Sequence, residues 1–182
     1  MLKAIQGTVV VSRGDLERDA RGTQRAPGSL ILLGREVDPP WAHVVASGDD
    51  ELKVGEVVVV QPDLGRTFDY RGMRVQKAAT SREACEDRAT MRPLREVLAR
   101  KVDDTDWPYR APSGRVVLRL VPAPDASELL DLPPEVDGFD RGEDHEGRVY
   151  LVKKRDGFIW HDGDGDWLSA REEVVQAEQA AA

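Results

Sequence analysis

An all-β sandwich or barrel is the fold this sequence predicts, and three observations predict it. The apolar residues fall in short β-branched runs, chiefly Thr8-Val9-Val10-Val11, Val57-Val58-Val59-Val60 and Val116-Val117-Leu118, which suit a pleated, half-buried surface. Gly, Asp-Gly and Pro turns separate those runs at short intervals. Helical patterning is confined to residues 81–89, where Ser81 can cap a turn and Glu83 favours its N-terminus, before Pro93 stops it.

Composition bounds the function classes. The chain has 182 residues and a net charge of -8, so a nucleic-acid backbone is excluded as the main partner, because binding it requires clustered Lys and Arg. A single cysteine, Cys85, rules out an intramolecular disulfide and fits a reducing compartment. No apolar run reaches 18 residues and the first residues lack a signal-peptide core. The expectation is a cytoplasmic protein with no membrane partner.

Taken in order, the first strand, Thr8-Val9-Val10-Val11, leads into residues 12–27, which hold three Gly/Pro breakers, seven charges and one large apolar side chain. Such a segment cannot bury enough surface to offset its ordering entropy, so a disordered line is expected over residues 13–33. At its end sits an aliphatic hook, Gly28-Ser29-Leu30-Ile31-Leu32-Leu33. A second strand, Trp41-Ala42-His43-Val44-Val45-Ala46, follows Pro39-Pro40. After it come Ser47-Gly48, the turn Lys53-Val54-Gly55-Glu56, the strand Val57 to Val60, a hairpin Phe68-Asp69-Tyr70-Arg71-Gly72-Met73-Arg74-Val75, and a closing segment Leu94-Arg95-Glu96-Val97-Leu98-Ala99. A long loop between two strands normally carries function.

In this order the parts over residues 1–102 resemble a co-chaperonin of the GroES type, a small β-barrel in which a mobile loop with a Gly-aliphatic hook follows the first strand. The resemblance departs at the hook, which reads Gly-Ser instead of Gly-Gly, and at a charged insertion over residues 78–92. It implies that Gly28, Ser29, Leu30, Ile31 and Leu32 bind the apical groove of an ATP-dependent chaperonin. It also implies a self-associated ring, closed by Leu2 and Ile5 of one subunit against Leu94, Val97 and Leu98 of the next, with no cofactor.

The remaining residues repeat the pattern. Residues 103–113, acidic and with two prolines, read as a linker. Gly114-Arg115-Val116-Val117-Leu118 then echoes the first strand, and Leu129-Leu130 precedes Pro133-Pro134 as the hook precedes Pro39-Pro40. Gly147 to Lys154, Asp156 to Trp160 and Leu168 to Val175 follow as strand, hairpin and closing segment. We expect a second, degenerate copy of the module over residues 114–175, with little room between Pro134 and Gly147 for the strand that His43 to Ala46 supply in the first, and a tail over 176–182. The alternative is a small hairpin extension.

No catalytic motif emerges: the chain lacks a nucleophile elbow, a P-loop and a dinucleotide fingerprint. Asp162-Gly163-Asp164-Gly165-Asp166-Trp167, with Glu173, has the spacing of a calcium loop, but Trp167 stands where that loop needs Gly, so a hairpin turn is expected. His43, His145 and His161 lack the spacing of a zinc site. The four Trp are candidates for core or interface anchors. Two functions follow as expectations: a non-enzymatic co-chaperonin that caps a chaperonin, or an architectural or decoration subunit of a virus particle, with capsid or other virion proteins as partners.

Overall fold

A computed structural model describes residues 2–13, 40–61, 67–81, 84, 94–104, 106–121 and 138–177. The chain divides into two compact units, Met1–Asp103 and Asp104–Ala182. Both are built from β-strands, as the β-branched runs require.

Unit 1 comprises β1 (Thr8–Ser12), β2 (Trp41–Ser47), β3 (Val57–Val60), β4 (Thr67–Tyr70), β5 (Met73–Ala79) and β6 (Arg95–Lys101). They lie in the order β4-β5-β1-β2-β3-β6. The pairings are antiparallel except at one place, where β5 meets β6 in parallel through Ala78↔Arg95 and Ala79↔Glu96. That contact closes β1, β2, β3, β6 and β5 into a five-stranded barrel. A barrel this narrow admits only small side chains, and its interior is Val9, Val11, Ala42, Val44, Leu52, Val58, Val60, Ala78 and Val97. Because strand residues alternate between faces, Val10 points outward, where it joins Ala46 and Val75 in a second cluster covered by Leu2, Ala4 and Tyr70. Of the helix expected over residues 81–89 only its beginning is described: Ala84 is helical and its N–H donates to Ser81 Oγ at 3.3 Å.

Unit 2 contains β7 (Tyr109–Arg110), β8 (Arg115–Leu120), β9 (Phe139–Glu143), β10 (Val149–Lys153), β11 (Gly157–His161), β12 (Asp166–Arg171) and, after a 3-10 turn over Glu172–Val174, β13 (Val175–Ala177). Its six-stranded sheet runs β11-β12-β8-β9-β10-β13. Counted along the chain, this is the order of unit 1: each first strand sits between the second and the fifth, the fourth lies outside the fifth, and the third and sixth extend the other side. Closure through the fifth and sixth strands is found only in unit 1 among the described residues. The strand β9 corrects the expectation of little room before Gly147, since Gly142 and polar neighbours fill a place where an apolar run was sought.

The interior of unit 2 holds Leu118, Val152, Leu168 and Ala170, with Val116, Leu120, Tyr150 and Ile159 against them. Leucine needs more room than valine, and two glycines supply it. A Cβ on Gly142 would stand 2.6 Å from Leu118 Cβ, and one on Gly157 would stand 2.5 Å from Leu168 Cδ1. Residues 103–113 are not a free linker: Tyr109 is fully buried, its ring 5.2 Å from that of Trp160 and 5.0 Å from that of Trp167. Apolar area on Trp107 and Tyr109 outweighs the prolines and acids that suggested a linker. The sheet also runs on to Ala177, two residues into the expected tail.

These contacts predict that Gly142→Ala lowers the stability of unit 2 by about 1–3 kcal/mol, the usual cost of forcing a methyl group into a packed interior. Gly138→Ala, whose Cβ would meet nothing within 4 Å, should leave the denaturation midpoint unchanged. Urea titration followed by tryptophan fluorescence, which reports mainly on unit 2, measures both.

Candidate functional site

The segment expected to carry function leaves and rejoins the barrel at neighbouring strands. β1 ends at Ser12 and β2 begins at Trp41, and the two are paired directly, Ser12 opposite His43. A two-residue turn would join them, so the long connection between them is not demanded by topology. The hook residues Gly28, Ser29, Leu30, Ile31 and Leu32 lie outside the described residues, as does most of the line. Its two attachment points are described.

At the departure point, alternation carries Val9, Val11 and Arg13 to one side, so Arg13 is buried at the mouth of the barrel. Gln76, opposite Val11 on β5, is buried beside it. Arg13 Nη1 donates to Gln76 Oε1. Its Nη2 reaches the carbonyls of Val60 at 3.4 Å and Gln61 at 3.3 Å, and Arg95 Nη1 donates to Gln61 Oε1 at 3.1 Å. A buried guanidinium is expensive unless its donors are used, so this set of acceptors fixes where the line begins. At the return point the Val60 N–H donates to the Pro40 carbonyl at 2.8 Å, which ties residue 40 to β3. Both ends of the connection therefore converge on Val60. The sequence offered one signal for Arg13, its place two residues after Val11 in an alternating run, and the charged neighbours at 15–21 hid it.

The residues expected to close a ring divide into two groups. Leu94, Val97 and Leu98 are buried; Val97 faces the barrel interior, and Leu98, next to it on β6, projects to the opposite face. Leu2 is half-buried against the outer cluster, and Ile5 is exposed at 67%. Trp41 is half-buried at the start of β2.

Unit 2 concentrates its aromatic and charged side chains around Trp107. The Arg119 guanidinium lies over Trp107 at 5.1 Å and over Trp167 at 5.2 Å from the ring centroids, while its Nη2 donates to the Asp106 carbonyl at 2.6 Å. His145 stands edge-on to Trp107 at 6.3 Å. The Trp160 and Trp167 indole N–H groups are buried without an acceptor, so ring packing and cation–π attraction hold the cluster. Two aspartates shape the loops around it. Asp104 Oδ1 accepts the N–H groups of Asp106 and Trp107, both at 3.1 Å, and these bonds, with Arg110, hold its carboxyl below the ordinary value. Asp144 accepts the N–H groups of Glu146 and Arg148 at 2.9 Å, Arg148 Nε at 2.7 Å and the Tyr150 hydroxyl at 3.2 Å. Partial burial opposes its ionisation, but the Arg148 and Glu146 donors and Tyr150 outweigh it and lower its pKa.

The acidic stretch expected to be a turn is one. β11 and β12 pair with Trp160 opposite Trp167 and His161 opposite Asp166, and Asp162 Oδ1 accepts the N–H groups of Asp164 at 3.0 Å and Gly165 at 2.9 Å. His161 Nδ1 contacts the Asp166 carboxylate. Among the described residues, no group of three or more His, Cys, Asp or Glu side chains is placed to hold a metal ion, and no helix is long and apolar enough to cross a membrane. Neither a protein family nor a curated protein matches the chain.

Two outcomes follow. Arg13→Met retains the aliphatic stem and strands the acceptors of Gln76, Val60 and Gln61, so denaturation should show a loss of about 1–3 kcal/mol, with faster proteolysis at the base of the connection. For Asp144, whose folded pKa is depressed, the stabilisation is present above its unfolded value near 3.9 and is lost as pH falls through the lower folded value. The stability difference between the wild type and Asp144→Ala should therefore be about 1 kcal/mol near neutral pH, carried mainly by the backbone bonds because Arg148 is exposed and screened. It should narrow below about pH 4 in urea titrations across pH.

Proposed function

We propose that this protein is a non-enzymatic, co-chaperonin-like ring subunit: a tandem of two GroES-like modules whose residues 13–33 carry the hook Gly28 to Leu32 to the apical groove of an ATP-dependent chaperonin. The observation that carries the reading is the shared strand order of the two units, with the longest connection falling between the first and second strands in each: residues 13–40 in unit 1 and 121–138 in unit 2. Tandem duplication of one module accounts for both. The clamp at Arg13 supports a binding role for the connection, because a fixed base under an apolar tip limits the volume that the tip must search.

Leu30, Ile31 and Leu32 supply apolar contact area, and a polar line keeps each contact weak and reversible. Repetition around a ring restores affinity. The protein would then act in the cytoplasm. A second reading, an architectural or decoration subunit of a virus particle, is favoured by one observation: Val97 packs inside the barrel and Leu94 and Leu98 are buried, so the outward ring contact would rest on Leu2 and Ile5.

Capture by an immobilised chaperonin, with and without nucleotide, tests the proposal. The wild type should be retained, and Ile31→Asp should lose at least about tenfold in affinity, since a charge in an apolar groove is strongly penalised, while its circular dichroism stays that of the wild type. Undiminished binding by Ile31→Asp removes the hook from the contact. Absence of capture in both nucleotide states favours the architectural reading.

A further inference from the structure

Only four large apolar side chains are prominently exposed among the described residues: Ile5, Val54, Phe68 and Met73. Ile5 and Val54 lie outside strands, next to or within turns. Phe68 at 40% and Met73 at 43% share the β4–β5 hairpin, and they share a face of it. Phe68 is opposite Val75 and Tyr70 is opposite Met73, and opposed residues in an antiparallel pair project to the same side. The four side chains therefore form one stripe, with Thr67, Asp69, Arg74 and Gln76 on the other side. At its inner end the stripe is core, since Val75 is buried with Val10 and Ala46. Towards the tip it runs out uncovered.

Among the described residues the same hairpin has a free edge. β4 is the last strand on its side of the sheet and pairs with β5 alone, and no hydrogen bond joins its outer edge to a described residue. We propose that a second copy of this chain covers the stripe, by antiparallel pairing of β4 with β4 about a two-fold axis that passes between the two Phe68 residues.

The backbone fixes that register. Arg71 and Gly72 both have positive φ, 50° and 79°, which makes the connection a two-residue type I′ turn. Tyr70 and Met73 then form the hydrogen-bonded pair next to the turn, and the pattern alternates from there. Phe68 directs its N–H and C=O inward to β5, while those of Thr67 and Asp69 face outward. In a symmetric contact centred on Phe68, Thr67 of each copy exchanges bonds with Asp69 of the other, and all the outward groups of these residues are satisfied. Centring on Asp69 sets two carboxylates directly opposite each other, which is destabilising, and puts Thr67 opposite the turn residue Arg71. Registers shifted by one residue set the apolar stripe against the polar face. The Phe68-centred register thus pairs the outward groups of both Thr67 and Asp69 within the described strand and opposes no carboxylates: the Asp69 carboxylate lies between its own Arg74 and the hydroxyl-bearing Thr67 of the second copy, and the apolar stripes of both copies become continuous. The contact is isologous and closes on itself, so it caps an edge that would otherwise template open aggregation. It does not depend on the co-chaperonin reading.

Cysteine cross-linking in the full chain tests this, in a Cys85→Ser background. At a non-hydrogen-bonded antiparallel pair the Cα atoms stand about 4.5 Å apart, the separation a disulfide spans readily. Phe68→Cys should form a covalent dimer under mild oxidation at least about tenfold faster than Asp69→Cys, which in this register has no equivalent opposite it. Light scattering at micromolar concentration should show an even-numbered wild-type species, halved in mass by Phe68→Asp with an unchanged circular dichroism spectrum. A wild type of odd or monomeric mass would overturn the proposal. So would cross-linking of Asp69→Cys as fast as Phe68→Cys, or an unchanged mass for Phe68→Asp.

Discussion

Closing five strands into a barrel leaves an interior too narrow for large side chains, and most of unit 1 follows from that constraint. Barrel width falls with strand number, and an eight-stranded barrel is already filled by its own side chains. With five, the interior is Val and Ala apart from Leu52. The parallel seam between β5 and β6 runs through Ala78 and Ala79, both fully buried, where a larger residue would push the seam apart. The crowding also explains why the polar pair Arg13 and Gln76 sits at the mouth: there the guanidinium can reach the carbonyls of Val60 and Gln61 at the end of β3.

Unit 2 solves the same problem with other residues. Its interior is built on Leu118 and Leu168, and glycine on the facing strands, Gly142 and Gly157, cedes the space. Glycine costs strand stability. The outer face offsets that cost through Trp160, Trp167 and Tyr109, packed edge to face, and through Arg119 between Trp107 and Trp167. One strand order is thus compatible with two packing schemes, a valine-filled closed barrel and a leucine-over-glycine sheet with an aromatic cover. This is the behaviour expected if topology is set by pairing and turns, while interior volume is met by whichever residues fill it.

Function on such a scaffold belongs to its margins. Small barrels enclose no room for a ligand, so partners must meet loops, edges and exposed stripes. Unit 1 provides each of these: a long connection anchored at Arg13 and Pro40, the free edge of β4, and the Phe68 and Met73 stripe. All three are attached to the rigid barrel by short, well-bonded segments. A rigid base beneath an adaptable contact lowers the entropy lost on binding.

Much of this could be read in the sequence, because strands announce themselves locally. Alternation and β-branching located β1, β2, β3, β8 and β10, the hairpin and closing segment of the resemblance covered β5 and β6, and the turns at Arg71-Gly72 and Asp162-Gly163 followed from residue types that tolerate positive φ or cap their own loop. The order of those segments was enough to expect two related modules. What the sequence did not disclose depends on partners distant along the chain. β9 is polar, Phe139-Asp140-Arg141-Gly142-Glu143, and becomes a strand because β8 and β10 supply ladders on either side. Trp107 and Tyr109 looked like linker until Trp160 and Trp167 gave them a surface to cover. Leu94, Val97 and Leu98, expected at a ring contact, are buried, Val97 inside the closed barrel. Arg13 looked like the first residue of a solvated line until Gln76, far along the chain, met it at the barrel mouth. Local propensity and patterning, which act over a few residues, were determined by the sequence alone; which face is inside, which edge is paired and which polar group is buried were decided only by tertiary structure, because each is a property of two segments brought together and not of either one.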